Sequence, residues 1–445
     1  ALVMTMSLVT VSAGAKDFGD SADLSGEAYE EAVNVMSEMG IIDGYSDGDF
    51  RPQGTLTRQA AAKIIACMML GKTTAESLGT SAAPFKDVPA GSSFAGYIAF
   101  CVERGLISGY ADGTFRPTGT LTGFAFLKML LGALGYDQSI EGYTGTNWTV
   151  NVAGRAYEIG LTNGNDNFVG TQACTREQAA LYAVNALQTT LVEYDSKGTN
   201  VTVNGATVAI GASKPTFVTS SISGAATSID DTIDNTTHDY TVEFAEKYQP
   251  DLEKHDDTDD FMRPAHTWSW KSKEIGTYVD YDLMVAEYTT KVTGRDLYED
   301  LTASTIREYD LTYYVDGAEP ATDNISKNEL YRNNTSSVGR TGNGVLTQVF
   351  VDNDDELVTI AIINTYLAIA DDDYNEKRDE ASFDVYGISK TSTGNVYFKA
   401  LTSDEDKKTM DVTSEDFPIA ADVAKGDAFL VNVADGEIQI MQEAE

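Results

Sequence analysis

The stretch GIIDGYSDGDFRP, residues 40–52, recurs almost unchanged as GLISGYADGTFRP, residues 105–117, and in worn form as GLTNGNDNF, residues 160–168. In each copy a phenylalanine (Phe50, Phe115, Phe168) is followed seven residues later by a threonine (Thr57, Thr122, Thr175). Landmarks recurring in a fixed order mark a repeat architecture, and the fold is misread if they are missed. Upstream, each copy has an aromatic eleven or twelve residues before its first glycine: Tyr29, Phe94 and Trp148. The first two copies also open on an aromatic and an acid, Phe18 to Asp20 and Phe85 to Val88.

These landmarks predict local structure. Val33, Met36 and Met39 share a helical stripe. Gly40, Gly105 and Gly160 stand where a helix end needs positive φ. A second glycine follows four residues later in each copy, at Gly44, Gly109 and Gly164. The loop then passes an Asp-Gly turn, Asp47-Gly48 or Asp112-Gly113, to the Phe and, twice, Arg-Pro. Thr57 and Thr175 are natural N-caps, with Glu177 and Gln178 in the first turn of the third helix, where an acid suits the dipole. Ile64, Ile65, Met68 and Met69 form the apolar face of the first such helix. Each unit is a helix, a glycine-rich loop and a helix. One unit alone cannot bury its apolar faces, whereas three packed together can.

The 445 residues carry a net charge of −38, and the charge is uneven. Residues 16–194 hold 20 acidic and 11 basic residues, against 49 and 20 in the remainder. Such a surface disfavours nucleic acid and anionic membranes, which need clustered Lys and Arg. It is compatible with divalent cations and equally with a merely solvated, repulsive surface. The opening ALVMTMSLVTVSAGA reads as the end of a secretory signal peptide, cleaved before Lys16. No later stretch has the roughly 18 apolar residues of a membrane span. Cys67, Cys101 and Cys174 lack disulfide or zinc spacing and read as small core residues. The expected divisions are a partial signal peptide (1–15), three repeats (16–79, 80–136, 137–194), a linker and hairpin region (195–270) and a β-rich surface region (271–445).

Residues 16–194 resemble the S-layer homology domain family, a run of three such repeats. The resemblance rests on the aromatic-Asp opening, the GxxxG loop, the DGTFRP turn and the Thr-Arg helix start. It implies an all-α, pseudo-threefold spindle attached non-covalently to secondary cell-wall polysaccharide, often pyruvylated, on bacterial peptidoglycan. The family's Thr-Arg-Ala-Glu motif falls on Thr57-Arg58-Gln59-Ala60, Thr122-Gly123-Phe124-Ala125 and Thr175-Arg176-Glu177-Gln178. Arg58 and Arg176, with Thr57 and Thr175, are therefore the candidate ligand residues. Such arginines serve either an anionic sugar, whose carboxylate suits the guanidinium fork, or a salt bridge between units. Gly44, Gly109 and Gly164 either let a sugar approach or serve the backbone alone. Arg51 and Arg116 read as structural. The motif glutamate is missing from all three copies, and Gly123 leaves the second without its arginine. Two working grooves are expected, belonging to the first and third copies.

After Tyr194 the composition turns rich in Thr, Val, Asp and Tyr. VTVNGATVAI (201–210) reads as a hairpin on an Asn-Gly turn. VLTQVFVDNDDELVTIAII (345–363) reads as a second, and AFLVNVADGEIQIM (428–441) as a third. Further strands are expected in 283–292, 309–317, 383–389 and 395–401, short helices in 295–305 and 325–332, and loops in 211–237 and 251–260. One or two β-rich domains, sandwich or small barrel, follow from this pattern. No HExxH, GxSxG or P-loop occurs. Asp256, Asp257, Asp259 and Asp260, and Asp352, Asp354 and Asp355, are either solvated turn residues or oxygen ligands for Ca²⁺; no cofactor is required. Trp268 and Trp270 are either core residues or a sugar platform. The leading expectation is a secreted, wall-anchored, non-enzymatic S-layer-like protein, with or without lattice formation. The alternative is an anchored enzyme or adhesin acting on glycans through the C-terminal region.

Overall fold

A computed structural model describes residues 18–203, 206–219, 241–322, 324–390, 396–401 and 409–444. The expected signal peptide, the Asn-Gly turn at 204–205 and most of the expected loop at 211–237 lie outside these. The chain divides into two compact units. One comprises residues 14–255 with 268–276, and the other residues 256–267 with 277–445.

The first unit begins with seven helices: α1 (Glu27–Glu38), α2 (Arg58–Leu70), α3 (Lys72–Glu76), α4 (Ala95–Glu103), α5 (Gly123–Ala133), α6 (Trp148–Glu158) and α7 (Arg176–Leu187). The second helix of every copy starts on its threonine. The hydroxyls of Thr57, Thr122 and Thr175 accept hydrogen bonds from the amides of Ala60, Ala125 and Gln178, and at Thr175 the Gln178 side chain completes a capping box. The first helix of every copy stops at its glycine, with φ of 67° at Gly40, 70° at Gly105 and 73° at Gly160. Both signals are local, which is why residue types alone located them.

The packing is cyclic. Helix α4 of the second copy lies on α2 of the first, α6 of the third on α5 of the second, and α1 of the first on α7 of the third. Each copy therefore covers the apolar face of its neighbour. The backbone closes the same circuit. The amide of Leu121 donates to the carbonyl of Leu56 (3.0 Å), that of Cys174 to Leu121 (2.9 Å), and that of Leu56 to Cys174 (2.8 Å). The three cysteines are fully buried in this unit, and burial lifts their thiols well above the ordinary value, as expected of core residues.

Short strands β1 (Val192–Glu193), β2 (Lys197–Val203), β3 (Ala206–Ala212) and β4 (Thr216–Phe217) follow, β2 and β3 pairing as the expected hairpin and β1 pairing with β4. After α8 (Phe244–Tyr248) come β5 (Leu252–Thr258), β6 (Pro264–Trp270) and β7 (Lys273–Val279), a three-stranded sheet in that order. The charged loop expected at 251–260 is thus mostly strand. His255, Asp256 and Asp257 sit on solvent-exposed positions, and β6 supplies the backbone partners that its polar side chains gave no hint of. Trp268 is fully buried, its indole donating to Glu31 at 2.7 Å, so it offers no platform.

The second unit holds two larger sheets. One has the order β8 (Met284–Tyr288), β10 (Val345–Asp352), β11 (Leu357–Asn364), β9 (Asp310–Val315), with β9 parallel to β11. The stretch Gly294–Glu308 before β9 is α9, which lets the chain return in parallel. The other sheet runs β14 (Val396–Ala400), β13 (Ala381–Lys390), β12 (Tyr366–Ala370), β16 (Ala428–Ala434), β17 (Glu437–Glu443), with β15 (Met410–Val412) also on β13. Among the described residues none of the sheets closes on itself, so the barrel expectation is not met there. The helix expected at 325–332 is reduced to a 3₁₀ turn at Lys327–Glu329.

Candidate functional site

The turn ending each intact loop is held by one carboxylate. Asp20 accepts from the amides of Phe50 and Arg51 at 2.7 Å each, and Asp87 from those of Phe115 and Arg116 at 2.8 Å each. This clamp fixes Arg51 and Arg116 with φ of 59° and 56°, a left-handed conformation that costs a non-glycine residue on the order of 1–2 kcal/mol. The aromatics beside these acids, Phe18 and Phe85, pack on Phe50 and Phe115. A Cβ on Gly44 would come 2.5 Å from the Phe18 ring, and one on Gly109 would come 2.2 Å from Phe85. Those two glycines make room for an aromatic ring. Gly164 has φ of 78°, so a backbone requirement accounts for it as well.

Each helix-start arginine reaches the loop of a neighbouring copy. Arg58, 8% exposed, donates through Nε to the carbonyl of Phe115 (2.8 Å) and through Nη2 to that of Ser108 (2.7 Å). Arg176 repeats the pattern on Phe50 and Asp43, at 2.8 Å each. Burial lowers the pKa of both, and the nearby Arg116 and Arg51 act in the same direction against Tyr110 and Tyr45. A guanidinium keeps its charge through such a shift. Thr57 and Thr175 cap the helices that carry them.

At the third interface the arginine is Gly123. A Cβ there would already touch the Phe168 ring at 3.0 Å. Phe124 fills the space instead, over Gly170 and edge-on to Phe168 and Trp148. The two arginine-bearing faces are therefore α2 against the second loop and α7 against the first. The third loop meets an aromatic cluster.

Two tyrosines that sequence reading passed over complete the arginine faces. Tyr45 is 44% exposed, with Arg51 3.9 Å and Arg176 4.9 Å from its ring centre. Tyr110 is 42% exposed, with Arg116 at 3.9 Å and Arg58 at 5.0 Å. The available signal was that both follow the second loop glycine, where the third copy has Asn165. An exposed ring beside two guanidiniums can take a sugar face and an anion together.

The S-layer homology domain profile matches residues 18–62 and 84–127, the first two copies. The chain carries S-layer homology repeats. It is similar to the "Surface layer protein" of Brevibacillus choshinensis, 26% identical over 40% of this chain and 15% of the relative. "Cell surface glycoprotein 1" of Acetivibrio thermocellus is 42% identical over 20% of this chain and 4% of that protein. An "Endoglucanase" of a Bacillus species is 35% identical over 24% and 12%. The chain thus spans a small part of the relatives it matches. S-layer homology repeats and these relatives make it a secreted protein of the bacterial cell surface. Among the described residues no helix is long and apolar enough to cross a membrane. Nor do three or more His, Cys, Asp or Glu gather there as a metal site. Asp259 instead forms a buried ion pair with Arg263 (2.6 Å), and Asp352 accepts the amides of Asp354 and Asp355.

Proposed function

We propose that the repeats anchor this chain to the bacterial wall by holding an anionic secondary cell-wall polysaccharide, pyruvylated in the form that best fits the site. In this reading the three copies make one pseudo-threefold S-layer homology spindle. The acidic β-rich region faces outward as a structural, non-enzymatic, self-associating surface. The carrying observation is that two of three equivalent interfaces present an exposed tyrosine beside two arginines. Arg58, Arg176 and the caps Thr57 and Thr175 belong to these faces, with Gly44 and Gly109 beneath them. Gly164 belongs to the arginine-free third loop.

The test is co-sedimentation of the full chain with wall sacculi carrying a pyruvylated polysaccharide. The parent is expected to pellet with intact sacculi and to stay in solution when the polysaccharide has been stripped. The exposed rings can be removed without disturbing the core, and the Tyr45→Ala/Tyr110→Ala variant is expected to bind about tenfold or more weakly. Equal pelleting with stripped sacculi, or undiminished binding by this variant, would sink the proposal.

A further inference from the structure

The two arginines at each face differ in what they have left to offer. Arg58 and Arg176 each commit Nε and one N–H of Nη2 to backbone carbonyls of the neighbouring loop. These bonds take up the Nε/Nη2 edge of the fork, one of the two edges with which a guanidinium reads a carboxylate, and tie the side chain to the neighbouring copy. The side chains of Arg51 and Arg116 are 49% and 56% exposed. Among the described residues, each has one polar side-chain partner, the carboxylate of Asp47 or Asp112 in its own loop, and its guanidinium makes no bond to a carbonyl. The strained turn and its Asp20 or Asp87 clamp hold the guanidinium over the tyrosine. Left-handed backbone at an L residue persists where the surroundings over-determine it, and such places are often functional.

We infer, resting on the anchoring reading above, that Arg51 and Arg116 read the ligand's carboxylate, while Arg58 and Arg176 are latches between repeats. Asp47 and Asp112 are internal stand-ins for that carboxylate. An incoming anionic sugar takes the guanidinium from the aspartate and lays its ring against Tyr45 or Tyr110. The aspartate therefore competes with the ligand, and its removal tightens binding. A purely structural Arg–Asp pair makes the opposite forecast, because losing either partner would then weaken the loop and the site with it. The specificity-determining residues are thus Arg51 and Arg116, in the turn, and the class they select is a carboxylated sugar over a neutral one.

The experiment measures binding of the full chain to sacculi carrying a pyruvylated polysaccharide, native or after mild acid has removed the ketal carboxylates. The parent is expected to prefer the native sacculi by about tenfold or more, the worth of a charge-assisted bidentate contact. Arg51→Gln/Arg116→Gln keeps the Cβ and the backbone strain, and is expected to bind both surfaces alike. Asp47→Asn/Asp112→Asn is expected to bind native sacculi a few-fold more tightly, with no gain on treated ones. Thermal melts that match the parent show that each variant is folded. Where Asp112→Asn/Asp47→Asn melts early, Asp47→Glu/Asp112→Glu replaces it and is expected to retain the parent's preference. Retained preference in the arginine variant, or no tightening in the asparagine variant, overturns this assignment and leaves the anchoring reading standing. A parent that ignores both surfaces overturns both.

Discussion

Glu30 shows how the packing of the first helix is written into one titration. Burial first, and the neighbouring Glu27 second, raise its carboxyl from 4.5 to about 7. The folded chain then holds this proton more tightly than the unfolded chain. The associated stability is full below about pH 4.5 and is lost as the pH rises through 7. Glu30→Gln is expected to leave the thermal midpoint unchanged at pH 4. At pH 8 it should raise stability by about 1–2 kcal/mol, a few degrees, after discounting for partial exposure. Equal shifts at both pH values would refute the assignment. At this scale the sequence was informative wherever a side chain serves its own neighbourhood. Thr57 caps its helix and Gly40 takes positive φ for reasons contained within a few residues. The acids Asp20 and Asp87 were visible as part of a motif, but their partners lie about thirty residues on, at Phe50 and Phe115. The destination of Arg58 was hidden for the same reason: only folding brings Ser108 and Phe115 to it.

Among the elements, α5 is the informative exception. Its first residue, Gly123, looks like the simple loss of an arginine from a repeated motif. The structure shows a replacement, since Gly170 admits the Phe124 ring and a Cβ on Gly123 would press on Phe168. Restoring the arginine should therefore fail to restore a face. Gly123→Arg is expected to cost about 1–3 kcal/mol through overpacking against Phe168, read as a lower denaturant midpoint, with no gain in binding to sacculi. A variant that bound more tightly at unchanged stability would contradict this account. Strands were legible where alternation or a turn motif marked them, as in β10, β11, β16 and β17. Elsewhere tertiary pairing decided. β5 reads as a polar loop because most of its side chains face water, while its backbone is satisfied by β6. The parallel placement of β9 beside β11 depends on the path through α9, which no period-two pattern contains.

For the whole first unit, stability rests on closure of the circuit of copies. Removing residues 137–194 would strip α1 of its neighbour α7 and leave the Leu56 amide and the Leu121 carbonyl without the partners that Cys174 provides. The shortened chain is expected to lose the cooperative melt of this unit and to be cut readily within residues 18–136 by dilute protease. A resistant core of that size would show that two copies suffice. The recurrence of landmarks was legible from the first 190 residues because repetition is a property of sequence. The order of docking was not, because it is set by which apolar faces meet. The hydrogen-bonded circuit through Leu56, Leu121 and Cys174 also constrains when the unit can fold. Its closing bond joins residues more than a hundred positions apart, a costly contact that late-forming steps of folding must supply. A chain that emerges from its N-terminus can build the first two copies as helices, but the bonds that close the circuit form only when Cys174 arrives. The unit thus remains threadable through a narrow channel until its last copy has passed.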